Sequence, residues 1–252
     1  MIDGVAKHHG KGERAVHALE EVSLEIQPSQ FVSIVGPSGC GKTTLLMIVA
    51  GLYSASRGSV AVDGQVVTKP LTDVGVVFQN PALLEWRTSL GNVLLQAEAR
   101  RMEMRGARQR AIGMLDLVGL KGFENRRPYE LSGGMKQRVA VCRALIHEPP
   151  LLLMDEPFGA LDAITRTQLG LDLQRIRVGS PSTVLFVTHS ISEAVFLSDR
   201  VVVMTGRPGS VRATLTIDLP RPRHVAMLGG PEIRTYIGQI EEIFESAGVL
   251  QE

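Results

Sequence analysis

The 252-residue sequence predicts an α/β fold built on a mainly parallel core sheet, with an antiparallel β subdomain and a helical subdomain. Three observations carry this. Gly36-Pro37-Ser38-Gly39-Cys40-Gly41-Lys42-Thr43 has the G-x-x-x-x-G-K-[ST] spacing of a loop that cradles phosphates. It lies between an apolar, β-branched run, Phe31 to Val35, and an apolar helical run, Thr44 to Ala50. Further on, apolar strands alternate with helices and end in polar residues, the pattern of a parallel sheet with its site at the strands' C-terminal ends.

Taken in order, strands are expected near Val5 to Lys7 and from Val22 to Ile26, the second half exposed because it alternates apolar and polar. Between them His8 to Arg14 reads as a polar turn, and His8, His9 and His17 as solvated rather than metal-bound, since no Cys or acidic ligand completes a set. Gly58 to Val62 is a strand, and Asp63-Gly64 signals a hairpin. Val74 to Phe78 is a buried strand ending at Gln79. From Thr88 to Glu130 the period becomes helical, with Leu90, Val93, Leu94 and Ala97 on one face and Ala111, Met114, Leu115 and Val118 on another. Arg100, Arg101, Arg105, Arg108 and Arg110 read as a solvated link between two helices. Leu131-Ser132-Gly133-Gly134 opens a helix that ends before Pro149. Leu151 to Met154 is a fully apolar strand ending in Asp155-Glu156. A helix from Ala163 to Ile176, a strand from Thr183 to Val187 ending at Thr188-His189, a short helix from Ile191 to Leu197 and a strand from Arg200 to Thr205 follow. The tail holds Arg207-Pro208-Gly209, a weak strand near Val211 to Ile217, and an amphipathic helix from Pro231 to Ser246. The expected division is a nucleotide-binding core of residues 1–87 and 136–223, a helical subdomain of 88–135, and a helical tail of 224–252.

Composition excludes several function classes. Net charge is +1, so no global basic field points to nucleic acid or anionic lipid. No apolar run reaches the ~18 residues of a membrane span, and no signal-peptide core follows Met1. Cys40 and Cys142 are far apart and not in metal spacing, which suits a reduced, cytoplasmic setting.

The chemistry centres on the glycine loop. Four fixed positions match by chance somewhere in such a chain roughly 1% of the time. Glycines 36, 39 and 41 permit positive φ and close approach of a ligand, while backbone N–H groups and a helix N-terminus supply positive charge. Lys42 is placed to reach the β- and γ-phosphates of ATP, and the Thr43 hydroxyl to hold Mg²⁺. Asp155 at a buried strand's end suits the metal, and Glu156 suits general-base work on an attacking water.

These motifs together resemble the ATP-binding subunits of ABC transporters from about residue 5 to 223. Leu131 to Arg138 resembles that family's signature, Phe78-Gln79 its Q-loop, Gly159-Ala160-Leu161-Asp162 its D-loop and Thr188-His189 its switch histidine, all in the family's order. The resemblance implies a P-loop NTPase fold of ABC type and a head-to-tail homodimer. In it, ATP lies between residues 36–44 of one subunit, Thr44 included, and Ser132, Gly133 and Gly134 of the other. It further implies that Gln79 senses Mg²⁺ and water, that His189 contacts the γ-phosphate, and that Asp162 bridges the subunits. His9 stands where the family places an aromatic residue on adenine, and Met135 where a glutamine is usual. Leu83-Leu84-Glu85-Trp86 and Leu219-Pro220-Arg221-Pro222-Arg223 resemble the importers of nitrate, aliphatic sulfonates and taurine, with Glu85 replacing a proline. Two integral-membrane permease subunits, and through them a solute-binding protein, are the implied partners. The implied location is the inner face of the cell membrane. No regulatory domain of the sugar-importer kind is expected after residue 223. An exporter ATPase and an ATP-switch protein acting on nucleic acid are the alternatives.

Overall fold

The computed structural model describes residues 1–10, 15–159, 161–178 and 182–249. It divides into two compact units, Met1–Thr72 with Thr183–Glu252, and Asp73–Ser182.

In the first unit an antiparallel sheet has the order β2-β1-β4-β5, from β1 (Ile2–His9), β2 (Val16–Leu24), β4 (Arg57–Val62) and β5 (Gln65–Val66). The Asp63-Gly64 hairpin forms as expected. Both residues have positive φ, 49° and 76°, and Val62 pairs with Gln65, which is a two-residue turn matched to strand twist. The histidines correct the expectation. His8 and His9 lie inside β1 rather than in a turn, and His17 lies in β2 directly opposite His8, with stacked rings 4.0 Å apart. Cross-strand pairing over the length of β1 overrides the polar composition, and β2 therefore starts at Val16 and stops at Leu24. Lys11 to Arg14 of the expected turn lie outside the described residues.

The same unit holds the strand order β10-β9-β3-β8, from β3 (Phe31–Val35), β8 (Thr183–Thr188), β9 (Arg200–Thr205) and β10 (Ser210–Thr216). β3 runs parallel to both neighbours and is buried at every residue, as a run apolar but for Ser33 suits, and the buried Ser33 hydroxyl is hydrogen-bonded to that of Ser198. Helices α1 (Lys42–Val49), α6 (Ile191–Leu197) and α7 (Pro231–Ser246) belong to this unit. The α7 stripe buries Ile233, Ile240 and Phe244. The Leu219 to Arg223 segment ties off α6. Buried Arg223 donates to the carbonyls of Val195, Phe196 and Ser198 at 2.8–3.2 Å, and Arg221 to that of Leu197 at 2.8 Å. These are carbonyls that a helix C-terminus leaves without intrahelical partners. Burial, with Arg221 nearby, pushes the Arg223 guanidinium down to about 10.

In the second unit β6 (Val74–Val77) and β7 (Leu151–Asp155) pair in parallel. Helices α2 (Ser89–Ala99), α3 (Met104–Leu117), α4 (Gly133–Leu145) and α5 (Ala163–Val178) complete it. Leu90, Val93, Ala111, Leu115, Val139 and Ile146 share one buried cluster, which is the 3.6-residue periodicity of the sequence made physical. Side-chain caps start the helices. Thr88 accepts from Gly91 N at 3.1 Å, and Glu103 from Arg105 N and Gly106 N at 2.7 and 2.6 Å. The arginine cluster divides. Arg100 pairs with Asp73 at 3.3 Å and Arg110 with Glu148 at 3.1 Å, whereas Arg101, Arg105 and Arg108 are exposed.

Candidate functional site

In the first unit the phosphate loop leaves β3 and enters α1. Gly39 and Gly41 take φ of 81° and 90°, which side chains rarely adopt. A Cβ on Gly36 would stand 2.3 Å from the Met204 carbonyl oxygen, and one on Gly41 2.5 Å from Leu19 Cδ2. Both positions therefore require glycine on steric grounds as well. Gly41 is the N-cap of α1 and supplies no side-chain cap, which suits that end to an anion. Lys42 is 4% exposed, and its Nζ donates to the carbonyls of Gly36 and Pro37 at 2.8 and 2.9 Å. It thus closes the loop across its own mouth. Ser38, Gly39 and Thr43 are exposed, and Cys40 is buried, which pushes its thiol up against the lowering effect of Lys42. The loop thus has the shape and donors that a chain of phosphates needs.

Two more predicted residues belong to this unit. His9 Nε2 lies 3.5 Å from Thr44 Oγ1, and its ring meets Tyr53 edge to face at 5.7 Å, so the imidazole sits beside the first turn of α1. Val35 pairs with Thr188, so Gly36 and His189 each follow the last pair of adjacent strands. His189 is exposed, in a turn that Thr188 and Ser190 fix. Thr188 Oγ1 donates to Glu193 Oε2 at 2.7 Å and accepts from Ser190 N at 3.0 Å.

The second unit holds the other predicted residues. Val77 pairs with Met154, so Gln79 and Glu156 each stand two residues beyond that pair. Asp155 is 8% exposed at the end of β7. Glu156 has φ of 43°, a left-handed conformation that costs a non-glycine residue about 1–2 kcal/mol and marks functional turns. Within this unit the Gln79 amide oxygen and the Asp155 carboxylate are oxygen donors of the kind Mg²⁺ takes, and in the first unit the Thr43 hydroxyl is another. Ser132 caps α4, its Oγ accepting from Met135 N at 3.3 Å, and Gly133 and Gly134 form the helix's first turn. A Cβ on Gly134 would stand 2.7 Å from Thr165 Cγ2, so α5 approaches the signature closely. Asp162 Oδ1 accepts from Ile164 N and Thr165 N at 3.1 and 3.0 Å, and hydrogen bonding from Thr165 foremost holds its carboxyl below the usual range. Ala160 of the D-loop motif lies outside the described residues.

Three residues to which the sequence assigned no such role hold the stretch around Gln79. Arg143, 8% exposed, donates to the Pro81 and Ala82 carbonyls at 2.7 and 2.8 Å. Buried Gln137 donates to the Phe78 carbonyl at 3.2 Å. Asn92, fully buried, accepts from Leu84 N at 2.7 Å and donates to the Leu84, Arg87 and Thr88 carbonyls at 3.0–3.2 Å. Beyond these pins Glu85 and Trp86 are exposed. An arginine and a glutamine on the buried face of α4 were the available signal.

A nucleotide loop, a signature cap and a carboxylate pair at strand ends define a class of ATP-binding cassette. The chain belongs to the ABC transporter family, whose model matches residues 19–159. It is similar to the aliphatic sulfonates import ATP-binding protein of Bacillus cereus, 40% identical over 250 residues that cover 99% of this chain and 97% of the relative. The taurine import ATP-binding protein of Rhizobium johnstonii is 48% identical over 208 residues, 82% of this chain and 79% of the relative. Among solved structures, a dimeric ATP-binding cassette in a post-hydrolysis state with ADP and Pi superposes with a TM-score of 0.76 at 33% identity. It covers 87% of this chain and 99% of its own. Among the described residues no helix is long and apolar enough to cross a membrane.

Proposed function

We propose that this chain is the ATP-hydrolysing subunit of an ABC importer, acting as a head-to-tail homodimer on two integral-membrane permease subunits at the inner face of the cell membrane. A solute-binding protein delivers the solute to the permease. The solute class is a small oxyanion such as an alkyl sulfonate, taurine or nitrate, and this chain never touches it. The observation that carries the reading is the phosphate loop, with glycines that admit no side chain and a helix start that no side chain caps. Import is supported by the printed functions of the sulfonate and taurine relatives, and dimerisation by the dimeric cassette.

In this reading the loop amides and Lys42 bind the β- and γ-phosphates of ATP, and His9 lies against the adenine. Thr43, Gln79 and Asp155 are the residues that would hold Mg²⁺, which would supply positive charge to offset that of the phosphates. Glu156 takes a proton from the attacking water, and His189 contacts the γ-phosphate and keeps that water in line. The partner's signature, Ser132 to Gly134, closes the nucleotide from the other side, and Asp162 bridges the subunits. Closure drives the permease gate, and hydrolysis reopens it. Gln79 senses the nucleotide, and the pinned stretch that follows it carries that state to Glu85 and Trp86, where the permease docks.

The test is nucleotide binding and turnover with the parent chain and Lys42→Ala, followed by isolation of the complex from its host membrane. ATP binding lost in Lys42→Ala, and co-isolation with permease and solute-binding subunits, are expected. Unchanged binding in Lys42→Ala refutes the phosphate loop, and a membrane partner without any solute-binding protein refutes import.

A further inference from the structure

The turn between β9 and β10 carries Arg207-Pro208-Gly209, which no part of the mechanism above uses. β9 pairs with β3 up to Val35 and Val203, so this turn emerges beside the start of the phosphate loop. Arg207 Nη2 donates to the Ser38 carbonyl at 2.7 Å. Gly209 presses on the next carbonyl but one, since a Cβ there would stand 1.8 Å from Cys40 O. No side chain fits at that spacing. The turn is itself anchored from β2, because Gly209 N donates to Ala18 O and Glu20 N to Gly209 O, both at 3.0 Å.

A trans peptide is planar, and its carbonyl and N–H point in opposite directions. Holding the Ser38 carbonyl against Arg207 therefore turns the Gly39 N–H away from the turn. Gly209 against the Cys40 carbonyl does the same for the Gly41 N–H. Gly39 is free to rotate on its own, with φ of 81° and exposed backbone, so the direction of its amide needs an external hold.

We infer that Arg207 is a positioning residue for nucleotide binding, and that the Arg207–Gly209 turn is an outer brace that aims the Gly39 and Gly41 amides at a nucleotide's di- or triphosphate. The inference rests on the ATP-binding reading. Arg207 does not touch the nucleotide. It acts through the Ser38 peptide, and its exposure means that it contributes little to folding. Removing it frees the 38–39 peptide to rotate, so ADP and ATP must each fix it again on binding.

The experiment is calorimetric titration of ADP and ATP into the parent, Arg207→Met, Arg207→Lys and Lys42→Ala, with the unfolding midpoint of each nucleotide-free variant. Arg207→Met is expected to weaken ADP and ATP alike by about tenfold, the size of fixing one freed backbone residue again on binding. Its unfolding midpoint is expected to stay near the parent's. Arg207→Lys keeps a donor for the same carbonyl and is expected to restore affinity to within about threefold. A merely structural residue would shift the midpoint and leave the affinity of the folded protein alone. Parental affinity in Arg207→Met, or equal losses in the lysine and methionine variants, overturns the brace. If Lys42→Ala loses binding while Arg207→Met does not, the brace fails and the ATP site stands. If the parent itself binds neither nucleotide, the ATP reading fails with it.

Discussion

Arg143 gives the sharpest test of how the fold carries Gln79. Its guanidinium is buried on α4 and spans two successive carbonyls, Pro81 at 2.7 Å and Ala82 at 2.8 Å. Ala82 needs this hold, because it sits at φ of 47° in the left-handed region. A hydrogen bond from a charged donor contributes about 1.5–3 kcal/mol, so two give roughly 3–6 kcal/mol. Against that stands the cost of burying the cation, which also lowers its pKa. Arg143→Met keeps much of the side-chain volume and removes both the bonds and that cost. The net loss is about 2 kcal/mol, or roughly 4–8 °C in unfolding midpoint for a chain of this size. Amide exchange over residues 79–84 should rise well beyond that of the rest of the second unit, because the pin is local. ATP turnover should fall with it as Gln79 loses its support, while ATP affinity at the phosphate loop holds. Arg143→Lys offers a single donor nitrogen instead of a rigid fork and should recover only part of the protection. A methionine variant with parental exchange over 79–84 would refute the pin, whatever its stability.

Arg223→Met should destabilise the chain by about 3 kcal/mol in urea unfolding, because the last carbonyls of α6 lose their buried donor; a loss under about 0.5 kcal/mol would reduce the Leu219 to Arg223 segment to a surface feature. Glu156→Gly should raise stability by about 1 kcal/mol while ending turnover, since glycine adopts φ of 43° without strain. A lower unfolding midpoint in that variant would contradict stored strain at Glu156. Cys142 is fully buried and its thiol is pushed up to about 12 by burial, with Asp172 adding to the shift. Its thiolate is scarce below that value, so labelling of the folded protein at pH 8–9 should be slow and should appear only on unfolding. Rapid native labelling of Cys142 would contradict the packing of α4.

The strands and helices were legible where hydrophobic period and punctuation agree. The helices from Ile191 to Leu197 and from Pro231 to Ser246 form at the expected residues, and β7 forms from the apolar run Leu151 to Asp155. The start of the chain was not, because His8, His9 and His17 are polar and only pairing with a neighbouring strand makes them β. In the candidate site, the phosphate loop declares itself by spacing alone. What holds it does not. Arg207 meets Ser38 across 169 positions and Gly209 meets Cys40 across as many, and no local propensity encodes such a contact. The same holds for Arg143 with Pro81 and for Arg223 with α6. The family likeness of Leu219 to Arg223 was visible in sequence, but its physical work, terminating α6, needed the fold. Asp162 illustrates the reverse case. Its motif suggested a role between subunits, and what the fold displays is a cap on α5.

The central claim is that Glu156 is the base of an ATP site completed by a second copy of the chain, and Glu156→Gln tests it most directly. The amide keeps the shape of the carboxylate and cannot take the proton from water. With Mg²⁺ and ATP, single-turnover hydrolysis in this variant should fall by about 10²-fold or more, the scale of a lost general base. ATP should still bind, and light scattering should report a dimer that forms with ATP and not with ADP. Turnover near the parent's rate, or a chain that stays monomeric with ATP bound, would contradict the account.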